Sequence, residues 1–531
     1  MAPENLGLPR AVPLDVAFQT ANALQNKGDL RGAEQIFRAI LAKDRHHAGA
    51  LNNLALLRLA QGKLDEAIQL IRQALKRNPN SPEAQYNLAN ALAASGRADD
   101  AVKRYKKAIS LRPGYVDARN NLGLLLNRLG RHDEAIAQFE RALAAAPDHV
   151  QAHNNLGLAL QAVRRYEEAV GHFERAVALA PNAAEAYSNL GNAIVALNRH
   201  EEALARYDAA RALRPDFPEA EWNEGATRMS LGDFAVGWRK LEARWLKRDA
   251  PQRRDFRPPL WLGESALVGK TILLHAEQGL GDTIQFVRYV PLVAALGARV
   301  VLEVQKPLVP LLQDLPGVAA LCCRGDALPP FDCHCPIMSL PLAFDTRLET
   351  IPAAIPYLSA AADRVARWRA ELGDGDRPRL GLVWAGNLSN ANDRNRSSPL
   401  EPWLPVLERT GWRALAIQKD VSNGDRKLLE HAATPSIGGR LEDFADTAAV
   451  IALLDVVIAV DTAVAHLAGA LGKPVWVVLP YSAEWRWLIG RSDSPWYPTA
   501  RLFRQRAPGD WPSVVAEVLA ALAEEPPPTA P

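Results

Sequence analysis

Three short stretches carry residue types that could do chemistry. The first is Glu277-Gln-Gly279-Leu-Gly281-Asp282, which follows a predicted strand and opens a predicted helix. A carboxylate at that place either caps the helix or serves as a general base aimed at an acceptor hydroxyl, and both readings of Asp282 stand. The spacing imitates the glycine fingerprint of dinucleotide sites, but Ile284 occupies the third glycine position and only Glu303 answers for the distant acid. A carboxylate at the helix start would also repel the pyrophosphate that such a site holds there. The second stretch is Asp461-Thr462-Ala-Val-Ala-His466, where an apolar strand over 456–460 runs into a helix. A helix start offers free N–H groups and positive dipole to an anion, and Thr462 and His466 lie four apart on one face. The third is the polar loop 387–399, with Asn387, Arg394 and Arg396. Guanidinium groups there would neutralise a leaving diphosphate, and Gln418 and Lys419, at the end of a strand over 414–418, are placed on the same donor side.

Two other patterns are set aside. Asp374-Gly-Asp376 spells a metal-holding motif but lies in a loop, where a solvated turn is expected. Cys322, Cys323, Cys333, His334 and Cys335 lack zinc-ribbon spacing. Adjacent ligands on one strand would point to opposite faces, so buried thiols are expected and no metal.

The elements that must position these stretches are short apolar runs alternating with helical patterns, over 271–275, 300–304, 380–384, 414–418, 456–460 and 475–479. Such alternation builds parallel sheets covered by helices. Two units are expected, 269–376 and 377–525, followed by a proline-rich tail, 526–531. Ligands bind such folds at the carboxyl ends of the strands.

The first half is ruled by a period. Ala33, Ala67, Ala101, Ala135, Ala169 and Ala203 stand 34 residues apart, as do the prolines from Pro79 to Pro215 and the glycines from Gly28 to Gly130. That period with these residue types marks the tetratricopeptide repeat, a pair of antiparallel helices. Six repeats and a divergent seventh fill 14–249 after a tail, 1–13, and a linker over 250–268 leads onward. Asn53, Asn87, Asn121, Asn155, Asn189 and Asn223 form a second ladder at the same step. In five of the six the next residue is a core leucine, so each amide is placed off the buried stripe, outward or into the groove of the array. Either duplication copied these amides, or they hold the backbone of an extended peptide, since Asn donates and accepts at once. The basic patch Lys103, Arg104, Lys106 and Lys107 reads as a solvated face, and the recurring aromatics as packing.

Composition narrows the class. The 531 residues carry 62 basic and 60 acidic side chains, a net charge of +2, which leaves no basic excess for a nucleic-acid backbone. The longest apolar run, 448–460, is too short to span a bilayer and holds Asp455. The first ten residues lack the order of a signal peptide, and four clustered cysteines are no disulfide framework. A cytoplasmic address is expected.

As a set, these features resemble the O-linked N-acetylglucosamine transferases in architecture, whose repeats carry an Asn ladder holding the acceptor protein. The C-terminal motifs are closer to bacterial repeat-fused glycosyltransferases related to the lipopolysaccharide heptosyltransferases, a group that includes flagellin glycosyltransferases. The residues that carry this are 277–282, 392–397, 461–472 and 481–498, the last with Trp485 and Trp487. The resemblance implies an all-α repeat superhelix followed by an α/β pair of Rossmann-like domains of the GT-B type. It implies an inverting, metal-independent transfer from a nucleotide-sugar, without a further cofactor, onto a protein held in the repeat groove. Asp282 inherits the role of base, with Gly279 and Gly281 in the acceptor loop. Asp461, Thr462 and His466 inherit the donor diphosphate, and Arg394 or Arg396 stands where the family has a lysine. Ala463 replaces the family's glycine, and the run from Asp282 to Pro291 is longer than in the heptosyltransferases. A scaffold whose transferase half has decayed is the alternative, and a dinucleotide-dependent oxidoreductase is a third reading.

Overall fold

The structure is a computed structural model that describes residues 12–250, 254–373, 375–386, 393–409 and 411–524. Its first part alternates 13-residue and 14-residue helices. The pairs run from Leu14–Asn26 with Leu30–Lys43 to Ala184–Ala196 with His200–Leu213, and a seventh pairs Pro218–Ser230 with a shortened Phe234–Leu241. The ladder alanines are fully buried, because only a methyl group lets two helix backbones close at that place. Phe139 and Phe173 lie against Gly123 and Gly157, where an added Cβ would stand 2.6 and 2.7 Å from the rings.

The turn between paired helices needs one residue in the left-handed region. Gly28, Gly62, Gly96 and Gly130 supply it with φ of 83°, 74°, 77° and 74°. The period then calls for Arg164, Asn198 and Gly232, and these keep the conformation at 63°, 59° and 87°. The backbone thus preserves the repeat where the glycine mark in the sequence is lost.

The chain divides into two compact units, Met1–Ala193 and Ile194–Pro531, so the division falls inside the sixth repeat and not at residue 249. The reason is apolar. In the second unit, Met229, Phe234 and Trp238 from the seventh repeat are buried in one core with Phe286, Trp485 and Trp496, and Trp238 meets Trp485 edge-on at 5.3 Å.

Beyond a 3₁₀ turn at Glu242–Trp245, two parallel sheets follow. The first contains β1 (Thr271–His275), β2 (Arg299–Val304), β3 (Val318–Cys323) and β4 (Cys333–Pro336), in the order β3-β2-β1-β4. The second contains β5 (Arg379–Val383), β6 (Arg413–Ala416), β7 (Val456–Val460), β8 (Val475–Leu479) and β9 (Ala500–Arg504), in the order β6-β5-β7-β8-β9. β7 and β8 are buried along their whole length, as central parallel strands must be. The helix predicted to open at 277–282 is broken into Leu280–Phe286, a 3₁₀ turn at Val287–Tyr289, and Val290–Ala295. Pro291, which has no N–H to continue the ladder, sits in the first turn of the last piece.

Candidate functional site

The carboxyl edges of both sheets open on one cavity of about 600 Å³. Residues after β1, β2, β5, β6 and β7 line it, which is where parallel sheets of this kind present their loops. Gly279, Gly281, Asp282, Arg396, Gln418, Lys419, Asp461, Thr462 and His466 are all among its walls. Asn387 lies outside the described residues, as does the side chain of Arg394; Asp374 also lies outside them, and Asp376 is exposed.

Of the two readings left open by the position of Asp282, the structure shows the cap. Its Oδ2 accepts the Gly279 N–H at 2.8 Å and so caps the Leu280–Phe286 helix. Its Oδ1 accepts from Nη2 of Arg486, which arrives from the other sheet's loops. Burial pushes the carboxyl above its ordinary range, Arg486 opposes that, and Glu484 adds to it. The neighbouring glycines have local reasons to be glycine. A Cβ on Gly279 would stand 3.1 Å from Asp282 Oδ2, and one on Gly281 would stand 2.9 Å from the ring of His466. Gly281 is therefore the point where the first α/β half closes on the second.

Opposite stands the start of the Ala463–Ala470 helix. Thr462 is its N-cap but makes no side-chain cap; its Oγ1 donates to the Val460 carbonyl at 3.2 Å instead. The first-turn N–H groups are thus left without a side-chain cap. Asp461 is buried, and that burial pushes its carboxyl up to about 6, with Glu484 adding and Arg486 opposing. His466 stacks on Trp487 at 5.4 Å, and its Nδ1 meets the Tyr497 hydroxyl at 2.9 Å. Burial, together with Arg486, Arg288 and Arg396, drives the imidazole well below its usual range, so it is neutral. Its Nε2 lies 3.8 Å from Asp461 Oδ1, too far for a hydrogen bond.

On the third side, Gln418 Oε1 accepts the Ala385 N–H at 3.1 Å and pins the end of β5, while Lys419 is exposed. Arg396 sits 3.5 Å from Asp393 Oδ1. Gly386 makes room for both, since a Cβ there would stand 2.3 Å from the carboxylate. Glu303 forms an ion pair with Arg254 and so is not open to a ribose. The cysteines fall on β3 and β4, with β2 and β1 between them. Three strand spacings put the two groups about 14 Å apart, and among the described residues no cluster of three or more His, Cys, Asp and Glu could hold a metal.

Glu484, Arg486, Gln278 and Gln305 also line the cavity or its rim and were not singled out from the sequence. Arg486 lies between Trp485 and Trp487, all three buried. A charged residue flanked by two large apolar ones was the available signal, because burial of such a charge demands partners.

The Asn ladder differs from expectation. The amides are not turned outward: Asn87 is buried and the others are half-buried. Asn53 donates to Asn22 at 2.7 Å, Asn87 to Asn52 at 3.0 Å, Asn155 to Asn120 at 3.0 Å and Asn189 to Asn154 at 2.9 Å. Asn121 donates to Tyr86 and Asn90. These five rungs tie their helices to the preceding repeat, which is reason enough for a half-buried amide to persist.

Segments 24–91, 58–104, 86–150 and 148–216 match models of the tetratricopeptide repeat. Residues 426–504 match glycosyltransferase family 9 (heptosyltransferase). This chain is similar to Protein FlbA of Caulobacter vibrioides, 30% identical over 322 residues that cover 55% of this chain and 53% of FlbA. It therefore spans about half the length of that relative. Among solved structures, MamA from Desulfovibrio magneticus is 27% identical with a TM-score of 0.30, covering 32% of this chain and 95% of MamA. A tetratricopeptide repeat protein from Parabacteroides merdae is 18% identical with a TM-score of 0.38, covering 44% and 94%. Among the described residues no helix is long and apolar enough to cross a membrane.

Proposed function

For a chain that joins tetratricopeptide repeats to a glycosyltransferase family 9 region, we propose transfer of a sugar from a nucleotide-sugar onto a protein acceptor held by the repeats. The observation that carries this is the convergence of two chemistries on one cavity. Asp282, the helix start at Thr462, Arg396 and Lys419 all line it. A volume of about 600 Å³ lies within the range that holds a ligand of that size.

In this reading the acceptor hydroxyl oxygen bonds to the anomeric carbon from the face opposite the diphosphate, which inverts the configuration. The bond from that carbon to the phosphate oxygen breaks, and its electron pair leaves with the diphosphate. The hydroxyl proton passes to the Asp282 carboxylate, whose raised affinity for protons suits a base working near neutrality. The helix N–H groups and cationic side chains meet the charge growing on the diphosphate, and Gln418 with Gly386 and Arg396 borders the nucleotide. The transfer is metal-independent in this reading because side chains supply that charge.

The test is mass spectrometry of cellular proteins with and without the chain, followed by transfer from the donor it identifies. A sugar mass lost from a defined protein and restored by the purified chain is the expected result. An unchanged set of protein masses, with no binding of UDP, ADP, GDP or CDP by calorimetry, overturns the proposal in favour of a scaffold.

A further inference from the structure

Among the described residues, Arg486 is the side chain of the cavity that engages both α/β halves through its whole guanidinium. It is 5% exposed. Its Nε donates to Gln285 Oε1 at 2.9 Å, its Nη1 to Glu484 Oε2, and its Nη2 to Asp282 Oδ1. Gln285 and Asp282 belong to the first half, on the helix that follows β1; Glu484 belongs to the second, on the loop after β8. The guanidinium lies 4.3 Å over the ring of Trp485.

The loop that delivers it is fixed at both ends. Asn198 donates to the Tyr481 carbonyl at 2.7 Å and Ser482 to that of Val195 at 3.0 Å, so the turn of the sixth repeat holds the loop's start. Trp485 packs edge-on against Trp238 of the seventh repeat, and Trp487 stacks on His466. A side chain desolvated this far and matched on all three nitrogens is held in one geometry, and only the planar fork of arginine can make the three contacts at once.

On the reading of Asp282 as base, we propose that Arg486 is a positioning residue of the transfer. It fixes one oxygen of Asp282 while the Gly279 N–H fixes the other, and so holds the carboxylate ionised and in one plane facing the cavity. Without Arg486 the carboxylate keeps its cap but is buried beside acids. Glu484 and Asp461 face it from the second half and Glu277 from the end of β1, with Arg396 the remaining cation. Glu484 then acts in opposition, sharing the guanidinium and raising the proton affinity of Asp282.

The experiment is a titration of the Asp282 carboxylate in the full chain, read as the ¹³C carboxyl signal present in the parent protein and absent from D282N. Arg486→Gln should raise the midpoint by about 1–3 pH units, the usual effect of an adjacent opposite charge. Arg486→Lys should recover part of that shift, and Glu484→Gln, at a half-exposed side chain, should lower the midpoint. Affinity for UDP, ADP, GDP and CDP should change by less than about threefold in both arginine variants. The acid limb of the transfer rate should follow each midpoint. An unmoved midpoint in R486Q overturns the proposal. Loss of nucleotide binding with an unmoved acid limb does so too, and hands Arg486 to the diphosphate. If R486Q fails to fold, the sign of the E484Q shift decides: a midpoint that stays or rises sinks the proposal. Absence of transfer by the parent protein at every pH would instead defeat the transferase reading, and the titration would still decide the coupling.

Discussion

The repeats and the α/β half both contain buried polar side chains, but these are partnered on different principles. In the repeats, the partner of Asn155 is Asn120 and that of Asn189 is Asn154, each 35 residues back. The same step serves Asn87, whose partner is Asn52. In the α/β half, Asp282 meets Arg486 across 204 positions and Arg486 meets Gln285 across 201. No rule of spacing generates those pairs, and Asp461 is left with raised proton affinity beside them. A periodic polar residue of this kind is accounted for by an amide in the preceding repeat. Polar residues that converge singly on a cavity, one of them a buried acid at odds with its surroundings, call for something else to complete them, which is the usual mark of a functional site.

The largest effect that could break this contrast is at Asp282. Asp282→Asn retains an oxygen to cap the Gly279 N–H but cannot take a proton, so transfer should fall by about 10²–10⁴-fold. Nucleoside diphosphate affinity by calorimetry should stay within about threefold. Turnover near the parent's would reduce Asp282 to a cap, on the same footing as the Asn rungs.

Gly281→Ala comes next. The new methyl would meet the His466 ring at 2.9 Å and stand 3.5 Å from the Ala463 backbone. Neither neighbour has room to yield, because the ring is stacked on Trp487. Overpacking of this kind costs about 1–3 kcal/mol, readable in urea melts of the full chain together with a loss of transfer. Gly114→Ala, in a repeat turn where a Cβ meets nothing within 4 Å, is the matched control and should change stability little.

Asp461 sharpens the contrast by sign. Its carboxyl titrates near 6 in the folded protein against about 4 when unfolded. Between those values the folded state keeps a proton that the unfolded chain has released, so stability falls as pH rises through the window and stays lower above it. Asp461→Asn should therefore stabilise the protein at pH 7, by at most about 3 kcal/mol, and leave it unchanged at pH 4. Destabilisation by D461N at pH 7 would show that the carboxylate is satisfied in place, as the repeat amides are.

The sequence made the repeats legible because the marks for turn, close approach and helix end each recur at one step, and Arg164 and Asn198 show the backbone outlasting them. In the α/β half β7 and β8, five-residue apolar runs buried end to end, were readable with their bounds. β3 was not, since its residues are half-exposed and the strand lies at a sheet edge, nor was β4, four residues ending in proline. At the site, the loops after β1 and β7 could be read because a helix start after a strand has a compositional signature. Arg486 carries a local mark of burial in its flanking tryptophans but none of its partner, 204 positions away, and Gly281 resembled a phosphate loop when its reason is contact with His466.

The smallest effect is the most direct test of the contrast, because it asks whether the ladder serves the fold alone. Asn155→Ala removes one hydrogen bond between half-buried amides and leaves Asn120 Oδ1 without that donor, which should cost about 1 kcal/mol. Asn189→Ala should cost the same, since its bond to Asn154 is equivalent, while Asn121→Ala, which loses two acceptors, should cost slightly more. Equal losses at equivalent rungs, measured by urea denaturation, are what periodic stapling requires. Each amide still has a second N–H and an oxygen available to a peptide backbone, so the two uses of the ladder separate by readout. A rung that only staples changes stability and leaves the acceptor concentration for half-maximal transfer where it was. A rung that also holds acceptor raises that concentration by more than the lost stability can explain, and N155A compared with N189A would then show unequal effects on transfer despite equal effects on folding.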